Sequence, residues 1–336
     1  MKLIVQIPCL NEAETLAEVV RSIPREIPGV DRVEVLVIDD GSTDGTARIA
    51  RDLGVEHVIR FRRNRGLARA FLAGLDACLR LGADVIVHTD GDNQYPSTEI
   101  PRLIQPILEG RADFVVGERD IANIEHFSPT KKALQRLGSW VVRRFSGTEI
   151  PDTTSGFRAL SREAALKLNV VSEFSYTLET IIQAGRQRIA IDHVRIRTNP
   201  KTRESRLIST TRDYIQRSGF TILRTYAMYE PLKVFSTLGG VLLAGGTAVG
   251  LRFLYFFVFG SGRGHIQSLI LAAILLLLGF QVVLIGLVAD IIGSNRRLLE
   301  TVLEKVRRLE IANLPATGAS LDPNRGNAPG TDYVER

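Results

Sequence analysis

A mostly parallel α/β sheet covered by helices on both faces, followed by a two-helix transmembrane hairpin, is the fold class that this 336-residue sequence predicts. Three observations carry it. From Met1 to about Asn199, short and almost wholly apolar runs alternate with segments of helical spacing, and strands that apolar are buried on both faces. Two uncharged stretches, Val234–Leu251 of eighteen residues and Ile266–Ala289 of twenty-four, approach or exceed the roughly 20 residues that cross a bilayer. Carboxylates gather where strands end, the edge at which such sheets bind ligands.

Taken in order, Leu3–Ile7 reads as a buried strand and Asn11–Ile23 as a helix; Val33–Ile38 is the next strand and Asp44–Leu53 the next helix. Leu67–Leu81 has helical spacing and leads to a strand at Asp84–His88. Ile100–Leu108 is helical, and Asp113–Gly117 is a fourth strand. Hydrophobic residues at 45% and charged residues at 24% exclude wholesale disorder and collagen-like repeats. Two cysteines, Cys9 and Cys78, make neither a disulfide framework nor a zinc site alone.

The apolar region has its own logic. Arg252 interrupts the first stretch, which Phe253–Phe259 continues, so the expected spans are about 234–259 and 266–289, joined by Gly260–His265. Arg252 snorkels if it lies near a span end. Gly246 and Gly250 are spaced for close helix packing. Arg296, Arg297, Lys305, Arg307 and Arg308 flank the second span, against Arg263 alone in the connecting loop. Positive charge marks the cytosolic side, so both termini and a catalytic domain at 1–209 are expected there, in an integral protein of the cytoplasmic membrane. Met1-Lys2-Leu3 leads into a short strand and Pro8, so no cleavable signal peptide is expected. Between sheet and spans, Lys201–Lys233 holds seven basic residues against three acidic, which with its aromatic positions suggests interfacial helices over 210–232. A charged helix at 294–312 and a disordered tail at 313–336 complete the chain, and the hairpin and charged helix could support self-association.

Chemistry concentrates in a few motifs. Asp90-Gly91-Asp92 follows a strand, and two carboxylates one residue apart can share a divalent cation; hard oxygen ligands select Mg2+ or Mn2+. Gln94 lies two residues on, and Asp39-Asp40-Gly41-Ser42 closes another strand. Pro8-Cys9-Leu10-Asn11-Glu12 follows the first strand, either as a helix cap or as a nucleoside-holding loop. Arg63-Asn64-Arg65-Gly66-Leu67 opens a helix, where positive charge and free amides suit a phosphate. No Gly-x-Gly-x-x-Gly or Walker pattern is present, against dinucleotide dehydrogenases and P-loop ATPases. The net charge of +6 is clustered beside the spans, which argues against nucleic acid as a partner.

Together the set Pro8/Asn11-Glu12, Asp39-Asp40-Gly41-Ser42, Asn64-x-Gly66 and Asp90-Gly91-Asp92-x-Gln94 resembles a family 2 glycosyltransferase of GT-A fold. Gly117-Glu118-Arg119 and Asp152-Thr153-Thr154-Ser155-Gly156-Phe157-Arg158 are similar to the branch of dolichol-phosphate mannose synthases and bacterial polyprenyl-phosphate (bactoprenol) glycosyltransferases. The resemblance covers about residues 1–210. It implies that Pro8, Leu10, Asn11, Glu12, Asp39, Asp40, Gly66, Asp90 and Gly91 bind a UDP- or GDP-linked sugar, with Asp90, Asp92 and Gln94 holding Mg2+ or Mn2+. It implies a catalytic group of Asp92, Arg119 and Asp152, the last as a base or an orienting charge. Arg119, Lys131, Ser155, Arg203, Ser205 and Arg206 would face the phosphate of a polyprenyl acceptor in the lipid bilayer. Arg203-Glu204-Ser205-Arg206 lacks the usual glycine of that loop, and Cys9-Leu10 replaces a more usual Tyr-containing pair.

The implied activity is inverting transfer of a hexose to undecaprenyl or dolichyl phosphate, for cell-envelope glycan assembly. Transfer to another membrane lipid, and a non-catalytic nucleotide-sugar-binding adaptor, stay open as alternatives. Lys131-Lys132 and Arg143-Arg144 read as contacts for headgroups or the acceptor phosphate, or as a solvated helix face; His88 reads as a packed core residue, and Glu179 as support for the site floor.

Overall fold

The computed structural model describes residues 1–119, 138–144, 146–170, 176–200, 224, 230–259 and 266–313. Lys131, Arg203, Ser205 and Arg206, most of the expected interfacial stretch, the 260–265 connection and the tail from 314 lie outside them. The chain divides into two compact units, one of Met1–Ile222 with Leu303–Arg336 and one of Leu223–Val302.

The first unit is built on a seven-stranded sheet: β1 (Lys2–Cys9), β2 (Arg32–Asp39), β3 (His57–Arg60), β4 (Val85–His88), β5 (Phe114–Arg119), β6 (Arg158–Ser161) and β7 (Ile191–Ile196). Their order is β3-β2-β1-β4-β6-β5-β7. Only β6 runs antiparallel, to both β4 and β5. The mostly parallel sheet expected from the apolar runs is therefore present. Helices α1 (Leu16–Ser22), α2 (Thr46–Asp52), α3 (Leu67–Arg80), α4 (Ile100–Leu108), α5 (Arg162–Lys167) and α6 (Tyr176–Arg186) accompany it, with a further helical segment at 138–144. Alternate residues of β1 serve opposite faces: Leu3, Val5 and Ile7 join Leu16 and Val19 of α1 in one core cluster. Ile4, on the other face, lies toward α3, whose Phe71, Leu75, Cys78 and Leu79 are buried at helical spacing.

After β3 the chain returns to the other side of β1 to form β4. That reversal opens a crevice beyond the carboxyl ends of β1 and β4. β6, being antiparallel, delivers the loop that precedes it to the same edge.

The second unit contains most of two long helices, α7 (Pro231–Phe259) and α8 (Ile266–Ala312), each long and apolar enough to cross a membrane. Helix α8 runs without a break into the region expected as a separate charged helix. Gly293 is too weak a breaker alone, and i,i+4 pairs such as Arg296–Glu300 at 2.9 Å support continuation. Its last residues, in the first unit, pack on α5: Arg308 pairs with Glu163, and Arg307 Nη1 donates to the Leu168 carbonyl at 3.0 Å.

Helix contact in the hairpin differs from the expected Gly246/Gly250 pair. The stripe is Gly239 and Gly246 against Gly279 and Gly286, spaced seven residues apart on each helix. A Cβ on Gly239 would lie 2.8 Å from the Gly279 carbonyl oxygen, and one on Gly279 would lie 3.0 Å from that of Gly239. The backbones approach too closely for any side chain there. Gly250 meets only Ala272 Cβ, at 3.7 Å, an ordinary contact. Gly279→Leu is therefore expected to destabilise the hairpin by about 1–3 kcal/mol or more through overpacking, while Gly250→Ala is tolerated; thermal unfolding in detergent separates the two.

Candidate active site

The loops after β1, β2 and β4 and the loop that precedes β6 meet at the crevice. The loop after β1 turns at Asn11, which holds φ 56, a left-handed conformation that asparagine tolerates. This turn lets Asn11 N–H donate to Ser42 Oγ at 2.9 Å and Asn11 Oδ1 accept from Thr43 N–H at 2.8 Å. Glu12 N–H donates to Thr46 Oγ1 and Ala13 N–H to Asp44 Oδ2, each at 3.0 Å. Amides that would have opened a helix at Asn11 are committed to the β2–α2 loop, so α1 starts at Leu16 and not at Asn11 as the spacing suggested.

Asp39 and Asp40, adjacent at the end of β2, have different work. Asp39 is fully buried; its Oδ1 accepts from Ser42 N–H at 2.9 Å, while Oδ2 lies 3.2 Å from Arg60 Nε without a well-formed hydrogen bond. Asp40 accepts from Arg65 N–H at 2.7 Å and from Gly66 N–H at 2.9 Å. The amides at the opening of α3, expected to suit a phosphate, thus receive an anion from the protein itself. Burial, opposed by those amides, raises the Asp40 carboxyl above its ordinary range.

The Asp90–Gln94 loop is held from three sides. Thr15 Oγ1 donates to the Gly91 carbonyl at 2.7 Å, and Gly91 itself lies so close to Cys9 that a Cβ would stand 3.0 Å from its Sγ. Asp92 Oδ1 accepts from Gln94 N–H at 3.0 Å. Asn199, just beyond β7, donates through Nδ2 to the Asn93 carbonyl at 2.9 Å and through its backbone amide to the Gln94 carbonyl at 3.0 Å. Burial, then the neighbouring charge of Asp92, pushes the Asp90 carboxyl up to about 7.

Two repelling carboxylates with hard oxygen donors fit Mg2+ or Mn2+, which bind one or two carboxylates and take their remaining ligands from water and substrate phosphates. Among the described residues no cluster of three or more histidines, cysteines or acids that could hold a metal ion is found.

Arg119 closes β5 and Asp152 precedes β6, and the structure brings them together. Arg119 Nε donates to Asp152 Oδ2 at 2.7 Å and Nη2 donates to Oδ1 at 3.0 Å, a bidentate pair with both side chains buried. Arg119 Nη2 also reaches Thr154 Oγ1 at 2.8 Å. Burial favours the neutral acid, but the Arg119 charge and hydrogen bonds outweigh it and hold Asp152 below the ordinary carboxylate range. Arg119 in turn pulls the Asp90 carboxyl downward, so the pair and the Asp90–Asp92 loop share one electrostatic field. Ser155 is fully buried, its hydroxyl oxygen accepting from Phe157 N–H at 3.3 Å, so it shapes the turn.

Beneath these loops lies a layer of which the sequence revealed His88 and Glu179 but not the role of Arg158. Arg158 is fully buried and bonds neutral partners: the carbonyls of Ser155 (2.8 Å), Thr177 (2.9 Å) and Thr153 (3.2 Å) and the Thr180 hydroxyl (2.5 Å). Burial lowers its pKa to about 10. His88 is packed in the core as expected, with Nε2 2.7 Å from Tyr176 Oη and Nδ1 3.2 Å from Gln6 Nε2, and burial keeps it neutral with a pKa near 3. Glu179 is buried on α6, within reach of Gln183 Nε2 at 3.4 Å.

The model for the glycosyl transferase family 2 domain matches residues 4–168. Glycosyltransferase AglJ of Haloferax volcanii is 29% identical over 311 residues, which is 90% of this chain and 95% of the relative. An undecaprenyl-phosphate mannosyltransferase of Micrococcus luteus is 31% identical over 185 residues, 52% of this chain and 74% of the relative. The chain belongs to glycosyl transferase family 2. A solved structure of glucosyl-3-phosphoglycerate synthase from Mycobacterium tuberculosis, in complex with Mn2+, UDP-glucose and phosphoglyceric acid, shares the GT-A fold. Its TM-score is 0.53 at 23% identity, over 67% of this chain and 78% of that one.

In this family 2 glycosyltransferase, the residues missed from sequence are those that support the loops: Arg158, Tyr176, Tyr95 and Asn199. Tyr95 Oη accepts from Gly156 N–H at 3.1 Å. Gly156 in turn leaves no room: a Cβ there would stand 2.8 Å from Asp90 Oδ2 and 3.2 Å from Tyr176 Oη. Gly156→Ala is therefore expected to displace the Asp90 carboxylate, and, if Asp90 holds a cation as the family resemblance implies, to weaken Mn2+ binding by about 10- to 100-fold, the range for outer-shell changes; titration calorimetry measures it.

Proposed function

We propose that this glycosyltransferase is an inverting, metal-dependent hexosyltransferase that moves a sugar from a UDP- or GDP-sugar onto polyprenyl phosphate at the cytosolic membrane face. The observation that carries the reading is the buried Arg119–Asp152 pair at the same sheet edge as the Asp90–Asp92 pair, so cation-binding and anion-binding groups face one crevice. The undecaprenyl-phosphate acceptor in the name of the Micrococcus luteus relative supports the lipid. The two apolar helices support attachment to a bilayer.

The donor's base and ribose would lie against Pro8, Leu10, Asn11, Glu12 and Asp39, whose Oδ2 is paired with Arg60 Nε at 3.2 Å. Asp90 and Asp92, with Gln94, would hold Mg2+ or Mn2+, which when bound neutralises the donor diphosphate as it departs. A lipid phosphate, with a second pKa near that of phosphoserine at about 6, is already largely anionic and needs little help from a base. Asp152 is suited to fix Arg119 and not to take a proton, because a carboxylate held below its ordinary range is a weak base. Arg119 then offsets the repulsion between acceptor and donor phosphates. Direct displacement gives a β-linked product from an α-linked donor.

The test is transfer by detergent-purified protein, with polyprenyl phosphate, Mg2+ or Mn2+, and a panel of UDP- and GDP-sugars, read by mass spectrometry. A single sugar-phosphate-lipid, lost on chelation, supports the proposal; donor binding without transfer to any lipid phosphate overturns it in favour of an adaptor. Apparent metal affinity is expected to fall as pH drops below about 7, where Asp90 takes up a proton that competes with the cation.

A further inference from the structure

We propose that the outward face of the helical segment at 138–144, formed by Trp140, Arg143 and Arg144, is the surface by which the catalytic unit rests on the headgroup layer of an anionic bilayer. The proposal rests on the membrane reading above and deepens it, because it names where the acceptor's membrane meets the catalytic unit.

This segment is amphipathic. Ser139 and Val142 are buried, whereas Trp140 and Arg144, four residues apart and so on one face, are exposed. Trp140 is 57% exposed and is the chain's one tryptophan. Among the described residues from 1 to 200, it and Met1 are the only large apolar side chains left exposed. Arg143, at the border of that face, is half-buried, with an inaccessible Nε that finds no hydrogen-bond partner. Among the described residues no carboxylate pairs with Arg143 or Arg144. A solvated helix face ordinarily carries paired or mixed charge; an uncovered indole beside the exposed Arg144 and the half-buried Arg143, neither paired with a carboxylate among the described residues, complements a layer of phosphates over hydrocarbon. Tryptophan favours that boundary because its ring is amphipathic.

The segment's position gives the face a purpose. Ser139 Oγ lies 3.2 Å from Thr153 Oγ1, and Thr153 follows Asp152, the partner of Arg119. The segment therefore backs directly onto the loop assigned to the acceptor phosphate, and its outward face lies about one helix diameter, ~10 Å, beyond that loop. A phosphate on a membrane-embedded prenyl chain sits at headgroup depth. A catalytic loop that receives it must come that close to the bilayer, and this face sets such a distance.

Because Trp140 is the one tryptophan, its emission reports on this face alone. The full-length protein is reconstituted into vesicles of phosphatidylcholine and phosphatidylglycerol, with either plain or brominated acyl chains, and recovered by flotation. Trp140 emission is expected to be blue-shifted, quenched by brominated chains and protected from iodide. Arg143→Glu with Arg144→Glu is expected to lose that quenching while still floating, and to raise KM for vesicle-borne acceptor without changing KM for the nucleotide sugar. Protein that floats but shows red-shifted, iodide-quenched emission insensitive to bromine overturns the docking face. Protection from both quenchers means that protein, such as a second copy, covers Trp140, and overturns it equally. Failure to float overturns membrane attachment and this face together. Bromine quenching without sugar transfer to any lipid phosphate supports the face and overturns the acceptor assignment.

Discussion

Asp92→Ala is expected to abolish sugar transfer, by at least about 100- to 1,000-fold in kcat, while the protein still folds. The loop that carries Asp92 loses one hydrogen bond, from Gln94 N–H at 3.0 Å, but keeps its other anchors. Thr15 Oγ1 holds the Gly91 carbonyl, and Asn199 holds the carbonyls of Asn93 and Gln94. Its carboxylate is half-buried, so truncation leaves no dry cavity. What changes is the charge beside Asp90: without Asp92 one of the influences that raise the Asp90 carboxyl disappears, and a cation held as proposed would lose one of its two carboxylate ligands. Three measurements on one preparation check this: transfer rate, Mn2+ affinity by calorimetry, and the thermal transition. Full activity would remove the metal assignment, and a collapsed transition would make Asp92 structural.

Breaking the Arg119–Asp152 pair is expected to cost both activity and stability. Removing one member of a buried, bidentate pair leaves an uncompensated charge, a loss of about 3–5 kcal/mol. Arg119→Met and Asp152→Leu should each lower the unfolding midpoint substantially and abolish transfer. The double variant, which removes both charges together, should regain most of the stability and none of the activity. Denaturant melts followed by circular dichroism, beside the transfer assay, measure the coupling. A double variant no more stable than the singles would mean that the two charges are not coupled. An active double variant would remove the pair from the chemistry. The pH dependence has a definite sign: Asp152 is held below its unfolded pKa of about 3.9, so its contribution is present above that value and lost as pH falls through the folded value.

Legibility in the sequence followed burial. Strands β1, β2, β4 and β5 announce themselves as apolar runs because both of their faces are covered. β7 mixes apolar and polar residues as Ile191-Asp192-His193-Val194-Arg195-Ile196, consistent with its place at the sheet edge, and β6 begins on the buried Arg158. Neither presents an apolar run. β3 is a four-residue edge strand with an exposed Arg60, too short for a pattern to emerge.

The carboxylates at strand ends and the two apolar stretches were determined by the sequence itself, since both follow from local order: a strand's end precedes its loop, and about twenty uncharged residues in a row need no distant partner to be recognised. Partnership was decided only by the tertiary structure. Arg119 and Asp152 are 33 residues apart, Asp40 caps amides 25 and 26 residues away, and Gly239 meets Gly279 across a hairpin. Arg158, unremarkable within its motif, is the buried cation beneath the site. The reason is physical: periodicity records which face of an element is dry, whereas a hydrogen bond or a helix contact depends on where two elements have been carried by everything between them.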